Sequence, residues 1–388
     1  MVATDVFATR TLLRRETTPT HPATRSNEHG SGSSRGALSG AKDGRANVTK
    51  RQARRHHVVS KFYLRYFADD VGQVTTVVLP GDRTFTQSIN DASVHNQYYT
   101  AIGHDGLTTD VAEQAFGEIE AAAAPAWRAV HDGVWPLPEE LRGAMAGWIA
   151  LQALRGSQVR TSMGELGTGA VQLQIMFGGR RRLRDELDAA GLPTDDEAVN
   201  REWISLFENP YQVAVHANHH LQYIANALPK AIELILDRWW LMTTFRHKGL
   251  ATSDHPVFVV PNERFTKLGL GTGIANADAI HVPLTRRLSL SMHLRSSLHP
   301  DLTSLHDDRA IAGSAATALY SNSCTVNSAR KMLYHHPADR PIKGLELPEP
   351  RTKEVVMSGD PWRFMDDGDR QVLLDAGLLP PDSAGEMP

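Results

Sequence analysis

From residue 57 onward the apolar positions fall into runs whose period changes twice along the chain. His57 to Phe67 sets Val58, Phe62 and Phe67 among Lys61, Arg65 and two tyrosines, which predicts a turn or two of amphipathic helix. Val74 to Leu79 and Thr84 to Ile89 are β-branched runs joined by Pro80-Gly81-Asp82-Arg83, the chemistry of a hairpin loop. At Asp110 the period lengthens, and Asp110 with Glu113 forms a capping-box-like start for a helix running toward Gly133, kinked at Pro125. A second helix is predicted from Pro138, with Glu139 and Glu140 in its first turn, to about Met163. Leu166 to Asn209 reads as charged and irregularly helical, and a long helix is predicted over Pro210 to Asp237 with a break at Pro229.

Past Arg238 the pattern is that of strands again, over Trp239 to Phe245, Leu250 to Ser253, Val257 to Val260, Ile280 to Leu284 and Leu288 to Leu294. A last helix is expected over Asp307 to Tyr320, continuing or restarting through Asn327 to Tyr334. Strands, then helices, then strands predict an α+β body. Its mostly antiparallel sheet is built from the N-terminal hairpin and the C-terminal strands and is covered by the helical middle. Residues 51–336 read as one domain between a basic tail (1–50) and a Pro-rich tail (337–388), in which Asp369 to Leu378 is a short helix able to dock back.

Composition narrows the classes. One cysteine, Cys324, excludes an internal disulfide and the usual multi-cysteine zinc site. No apolar stretch approaches the ~20 residues of a membrane-spanning helix, so no membrane association is expected. The tail lacks the apolar core of a secretory signal, which points to a cytoplasmic location. Charge is uneven: residues 1–57 hold 11 Lys/Arg against 4 Asp/Glu, and the remainder holds 30 against 40. The tail's Thr, Ser, Gly and Arg-rich composition predicts disorder, and its Lys50, Arg51, Arg54 and Arg55 are candidates for phosphate contact. The acidic body argues against a broad DNA surface, and no nucleic-acid-binding motif is present.

Several polar residues occupy positions that the helical period makes apolar. On the helix from Asp110, about 100° per residue places Glu113 and Glu120 on the face of Phe116, Ala123 and Trp127. On the next helix Gln152 and Arg155 continue the stripe of Leu141, Met145 and Trp148. A buried guanidinium needs a partner, and Glu120 is the natural one, either as a structural ion pair or beside an anionic substrate. Thr252-Ser253-Asp254-His255-Pro256 interrupts two strand-like runs, where Asp254 is a candidate base or metal ligand and, alternatively, an Asx turn. Ser253 lacks the G-x-S-x-G context of a nucleophile elbow. His216 and His220 have i, i+4 spacing without an acidic residue between them, a weak zinc signal.

In order, these segments resemble the domain-of-unknown-function family numbered 4238 (DUF4238), whose opening His-x-x-Pro-x-x-x-Leu-x-x-Phe is matched by His57 to Phe67 with Ser60 in place of the proline. Further matches are Asn96 to Tyr99, Glu113 to Glu120, Gln152 to Arg160, Thr252 to Pro256, Val282-Pro283-Leu284 and Asn322 to Tyr334. The resemblance spans about residues 55 to 336 and carries no activity with it.

Two functions are consistent with these residues. The first is a hydrolase or nuclease acting on a phosphate-containing substrate. His57, Glu120 and Asp254 would be catalytic, Glu120 and Asp254 would be candidate ligands of Mg²⁺ or Mn²⁺, and Lys61, Arg65, Asn96, Gln152, Arg155, Ser253 and Asn322 would contact substrate or nucleic acid. This reading expects His57, Glu120, Arg155 and Asp254 to meet in a polar cleft. The second is a non-catalytic binding or regulatory protein in which the same residues form a structural ion-pair network.

Overall fold

The computed structural model describes residues 55–96, 98–102, 107–209, 212–268, 271–297, 308–355, 362 and 365–379. The chain begins with β1 (Arg55–His57), α1 (Lys61–Leu64) and a 3-10 turn over Arg65–Phe67. The hairpin β2 (Gln73–Val78) and β3 (Arg83–Ser88) follows, then the short strands β4 (Val94–Asn96), β5 (Ala101–Ile102) and β6 (Thr108–Thr109). The helical middle comprises α2 (Val111–His131), α3 (Glu139–Arg155), α4 (Ser157–Ala189), α5 (Asp196–Glu208) and α6 (Ala217–Leu236). After it come β7 (Trp239–Thr244), β8 (Ala251–Ser253), β9 (Phe258–Val260), α7 (Glu263–Lys267), β10 (Ala279–Thr285) and β11 (Leu288–His293). The chain closes with β12 (Arg309–Ala312), α8 (Ala315–Ser328), β13 (Met332–His335) and α9 (Asp367–Asp375).

The architecture is α+β, with the strands in two main sheets rather than the one expected. The N-terminal hairpin shares a four-stranded sheet, ordered β3-β2-β13-β8, with only two of the late strands. The other late strands form a five-stranded sheet, β12-β7-β11-β10-β9, antiparallel except where β12 runs parallel to β7. β1 pairs with β4, holding Arg55 opposite Asn96 and His57 opposite Val94.

Contacts divide the chain into two units. The larger, Gln52–Gly167 with Gln212–Ser358, contains both sheets and the helices α2, α3 and α6, with α3 packed between the other two. Its core is an aromatic cluster: the Trp127 and Trp148 rings lie 4.7 Å apart and Tyr63 lies 4.8 Å from Trp148. The polar ends of the Trp127 and Tyr63 rings find backbone acceptors, since a buried Tyr or Trp needs a hydrogen-bond partner. Trp127 Nε1 donates to Leu284 O at 3.0 Å and Tyr63 OH to Pro283 O at 2.6 Å, so α2 and α1 are both tied to β10.

The smaller unit contains Thr168–Tyr211 and the C-terminal segment from Gly359. Its core gathers Leu183, Leu187, Trp203 and Leu373. Gly179 interrupts α4 at φ 62°, ψ −173°, which frees the Arg180 N–H to donate to Asp369 Oδ2 at 3.0 Å. Arg180 Nε donates to the other oxygen at 2.7 Å, and Trp203 Nε1 donates to Asp369 O at 3.1 Å. Through Asp369 the C-terminal helix α9 docks on α4 and α5.

Three boundaries differ from expectation. α3 stops at Arg155 because Gly156 turns extended (ψ 155°), and a new helix starts at Ser157 instead of one helix reaching Met163. α6 starts at Ala217 rather than Pro210, because the His216 side chain caps it by accepting from Asn218 N. Within Asp307 to Tyr320, residues Arg309–Ala312 form a strand. The helix waits for the Ser314 and Thr317 capping box, and Met332–His335 is a strand as well. The basic tail lies outside the described residues. Among the described residues no helix is long and apolar enough to cross a membrane.

Candidate functional site

Glu120 from the middle of α2, Gln152 and Arg155 from the end of α3, and Ser60 at the start of α1 converge in the larger unit. Arg155 is 1% exposed. Its Nη1 donates to Glu120 Oε1 at 2.7 Å, and its Nη2 donates to Ser60 Oγ at 2.8 Å and to Gln152 Oε1 at 2.9 Å. The Ser60 hydroxyl donates to Glu120 Oε1 at 2.7 Å and accepts from Trp148 Nε1 at 2.8 Å. With Arg155 as its second donor, the one O–H and both lone pairs of Ser60 are engaged. Gln152 Nε2 donates to Val58 O at 2.9 Å. The helix-terminal carbonyl of Arg155, an acceptor orphaned by the end of α3, takes the Tyr99 hydroxyl at 2.7 Å.

His56 and Glu113 border this network. His56 Nδ1 accepts the Tyr99 N–H at 2.7 Å, which fixes that nitrogen as the unprotonated one in the neutral ring. Glu113 Oε1 lies 3.9 Å from it. Burial raises the Glu113 carboxyl above the usual range; His56 and Arg155 oppose the rise, and Glu120 and Asp110 add to it. His57 is half-buried, and its Nδ1 donates to Ala92 O at 3.3 Å.

Asp254 sits in a different set of contacts. Its two oxygens accept from Arg330 N and Lys331 N at 2.9 Å each, and its own N–H donates to Met332 O at 3.0 Å. The carboxylate thereby organises the turn into β13. Burial raises its pKa, against those backbone bonds and the charge of Arg330. Ser253 Oγ accepts from His255 N at 3.1 Å and contacts Ser328 Oγ at 3.2 Å. Burial, with Arg330 and Arg351, pushes the His255 imidazole down to about 3. Asn322 accepts from Ala251 N at 2.9 Å and donates to Gly249 O and Pro341 O at 3.2 and 3.1 Å, stitching α8 to β8.

Of the sequence-selected residues, the structure therefore brings together Glu120, Gln152 and Arg155. It places Ser253, Asp254 and Asn322 around β8, leaves Lys61 and Arg65 exposed on α1 and the turn after it, and sets Asn96 in β4. The histidine pair separates: His216 is the helix cap, and buried His220 places Nε2 3.1 Å from Leu154 O. Among the described residues no group of three or more His, Cys, Asp or Glu side chains is placed to hold a metal ion. A groove of about 1020 Å³ between α2 and α6, walled by Ala112, Phe116, Ile119, Leu221 and Leu228, includes His216 in its lining and none of the other selected residues.

Ser60, Tyr99 and His56 were not legible as partners in the network. The sequence signal for Ser60 was its departure from the family's proline, and that departure supplies the hydroxyl on which Glu120, Trp148 and Arg155 meet.

The model of the family described as protein of unknown function (DUF4238) matches residues 55–339. The chain belongs to this family. The match begins in β1 and ends after β13, so it takes in the Glu120 and Arg155 network and both main sheets. No curated protein and no solved structure matches the chain. In this DUF4238 member the motif segments Glu113 to Glu120, Gln152 to Arg160 and Thr252 to Pro256 are all hydrogen-bonded into the interior.

Proposed function

We propose that the chain is a non-catalytic binding protein, acting in the cytoplasm, whose buried polar residues are a scaffold. The observation that carries this reading is the state of Arg155. Both terminal nitrogens of its guanidinium are already bonded to Glu120, Ser60 and Gln152, and its Nε, which has no hydrogen-bond partner, is itself buried away from any substrate anion. Asp254 likewise has both oxygens bonded to backbone N–H groups. The test combines melting curves with hydrolysis of chromogenic phosphomonoester and phosphodiester substrates, both in Mg²⁺ or Mn²⁺. The expected result is no turnover above buffer and no metal-dependent stabilisation. Metal-dependent turnover that disappears in Glu120→Gln or Asp254→Asn at an unchanged melting temperature would overturn it.

One observation favours hydrolysis of a phosphate-containing substrate as a second reading. Burial raises the Glu113 carboxyl, and its Oε1 lies 3.9 Å from His56 Nδ1 at the edge of the Arg155 network. Under this reading Glu113 would be the general acid, and Glu113→Gln would abolish turnover without loss of fold.

A further inference from the structure

The body of the chain is acidic, yet several loops crowd cations around one turn. β10 and β11 are joined at Arg286 and Arg287. Phe245 N donates to Arg287 O at 2.8 Å and Leu250 N to Arg286 O at 2.9 Å, so the exposed loop Arg246-His247-Lys248 is pinned beside the turn. Arg286 N donates to Tyr66 O at 3.0 Å, which brings in exposed Arg65. Tyr66 is half-exposed, its ring lies 5.6 Å from that of His131, and the charge of Arg128 acts on its hydroxyl.

The acids facing this cluster are few. Asp339 accepts from Arg286 Nε at 2.5 Å and Nη2 at 3.0 Å and lies 3.6 Å from Arg287 Nη2; Asp69 and Asp132 are nearby. One carboxylate thus answers two guanidiniums, and Arg287 Nη1 is buried with no hydrogen-bond partner. Arg246 and Lys248 reach into solvent. A dense cationic surface with a half-exposed aromatic ring inside it is the combination that grips a phosphodiester backbone while offering a base a stacking face.

We propose that Arg65, Arg128, Arg246, Lys248 and Arg287, with Tyr66, form a binding surface for single-stranded nucleic acid. This rests on the binding reading above and names its partner. The test is fluorescence anisotropy of a labelled oligonucleotide of about 20 nucleotides, longer than the span one such site covers, with the full-length chain over a range of salt. Affinity is expected to fall as salt rises, and the double variant Arg246→Glu, Lys248→Glu to lose at least about tenfold in affinity. Both residues are exposed, so the melting temperature should hold, and Tyr66→Leu should weaken binding with less change in the salt slope.

Unchanged affinity in the double variant would assign binding to the basic residues of 1–55 and overturn the proposal. Absence of binding at low salt would overturn it too, as would tighter, equally variant-sensitive binding to anionic phospholipid vesicles. Cleavage of the oligonucleotide would sink the non-catalytic reading instead. Loss of binding in the double variant would still support the surface in that case.

Discussion

Arg155 Nη1 and Glu120 Oε1 meet at 2.7 Å, joining the end of α3 to the middle of α2 with the arginine side chain 2% and the glutamate side chain 26% exposed. An ion pair of this kind is insurance against a larger penalty. The guanidinium is already buried, so removing Glu120 strands a charge, which costs about 3–5 kcal/mol when the site is dry. Water reaches one side of Glu120, so the expected loss for Glu120→Ala is about 2–3 kcal/mol. Glu120→Gln, which keeps an acceptor oxygen, should cost less. Urea unfolding curves check both, and a Glu120→Ala variant as stable as the parent would show that the network adds nothing.

Ser60 stands where the family pattern has proline, and its backbone (φ −58°, ψ 134°) already suits one. Ser60→Pro therefore introduces no strain at its own φ, yet it removes the hydroxyl that links Glu120, Trp148 and Arg155. The expected cost is about 1.5–3 kcal/mol, that of a hydrogen bond to a charged group. Ser60→Ala should match it. If Ser60→Pro is neutral while Ser60→Ala is not, backbone rigidity compensates for the lost bonds.

The pairing of Glu120 with Arg155 was legible because both interrupt apolar stripes at helical spacing and a buried arginine demands an acid. The α+β class was legible because the period changes twice. The division into two sheets was not, since Val74 to Leu79 reads as a half-buried strand whichever late strand lies beside it. Nor was the distinction between His56 and His57. Strand alternation turns one inward and one outward, but only the pairing of β1 with β4 shows which, and that pairing joins residues about 40 positions apart. Asp254 was recognisable as either a base or a turn-maker, and choosing between them required Arg330 and Lys331, distant in sequence.

Gly179 lies in the smaller unit at a positive φ that side chains rarely adopt, and a Cβ there would stand 2.3 Å from Asp369 Oδ2. Gly179→Ala should therefore displace the carboxylate that accepts from Arg180, and destabilise the packing of α9 by more than about 1 kcal/mol. Limited proteolysis should show faster cutting in the segment containing α9. An unchanged digestion pattern would mean that the backbone bond from Arg180 to Asp369 does not hold the helix.

Two buried histidines give the fold a directional response to acid. His281 bridges Ser291 Oγ at 3.0 Å and Ser321 Oγ at 2.8 Å, and burial, aided by His293, pushes its pKa down to about 4; His255 is pushed down to about 3. Each folded value lies below the ordinary 6.5. The unfolded chain therefore binds the proton more readily, and the contribution to stability is complete above about pH 6.5 and lost as pH falls toward the folded values. Glu113 and Asp254, with raised values, act oppositely, their contributions being lost as pH rises through their folded pKa. The urea midpoint is expected to fall on acidification from about pH 6.5 to about 4, with His281→Gln flattening that fall because the amide bridges the serines without titrating. Parallel curves for the parent and His281→Gln would show that His281 does not drive the acid response.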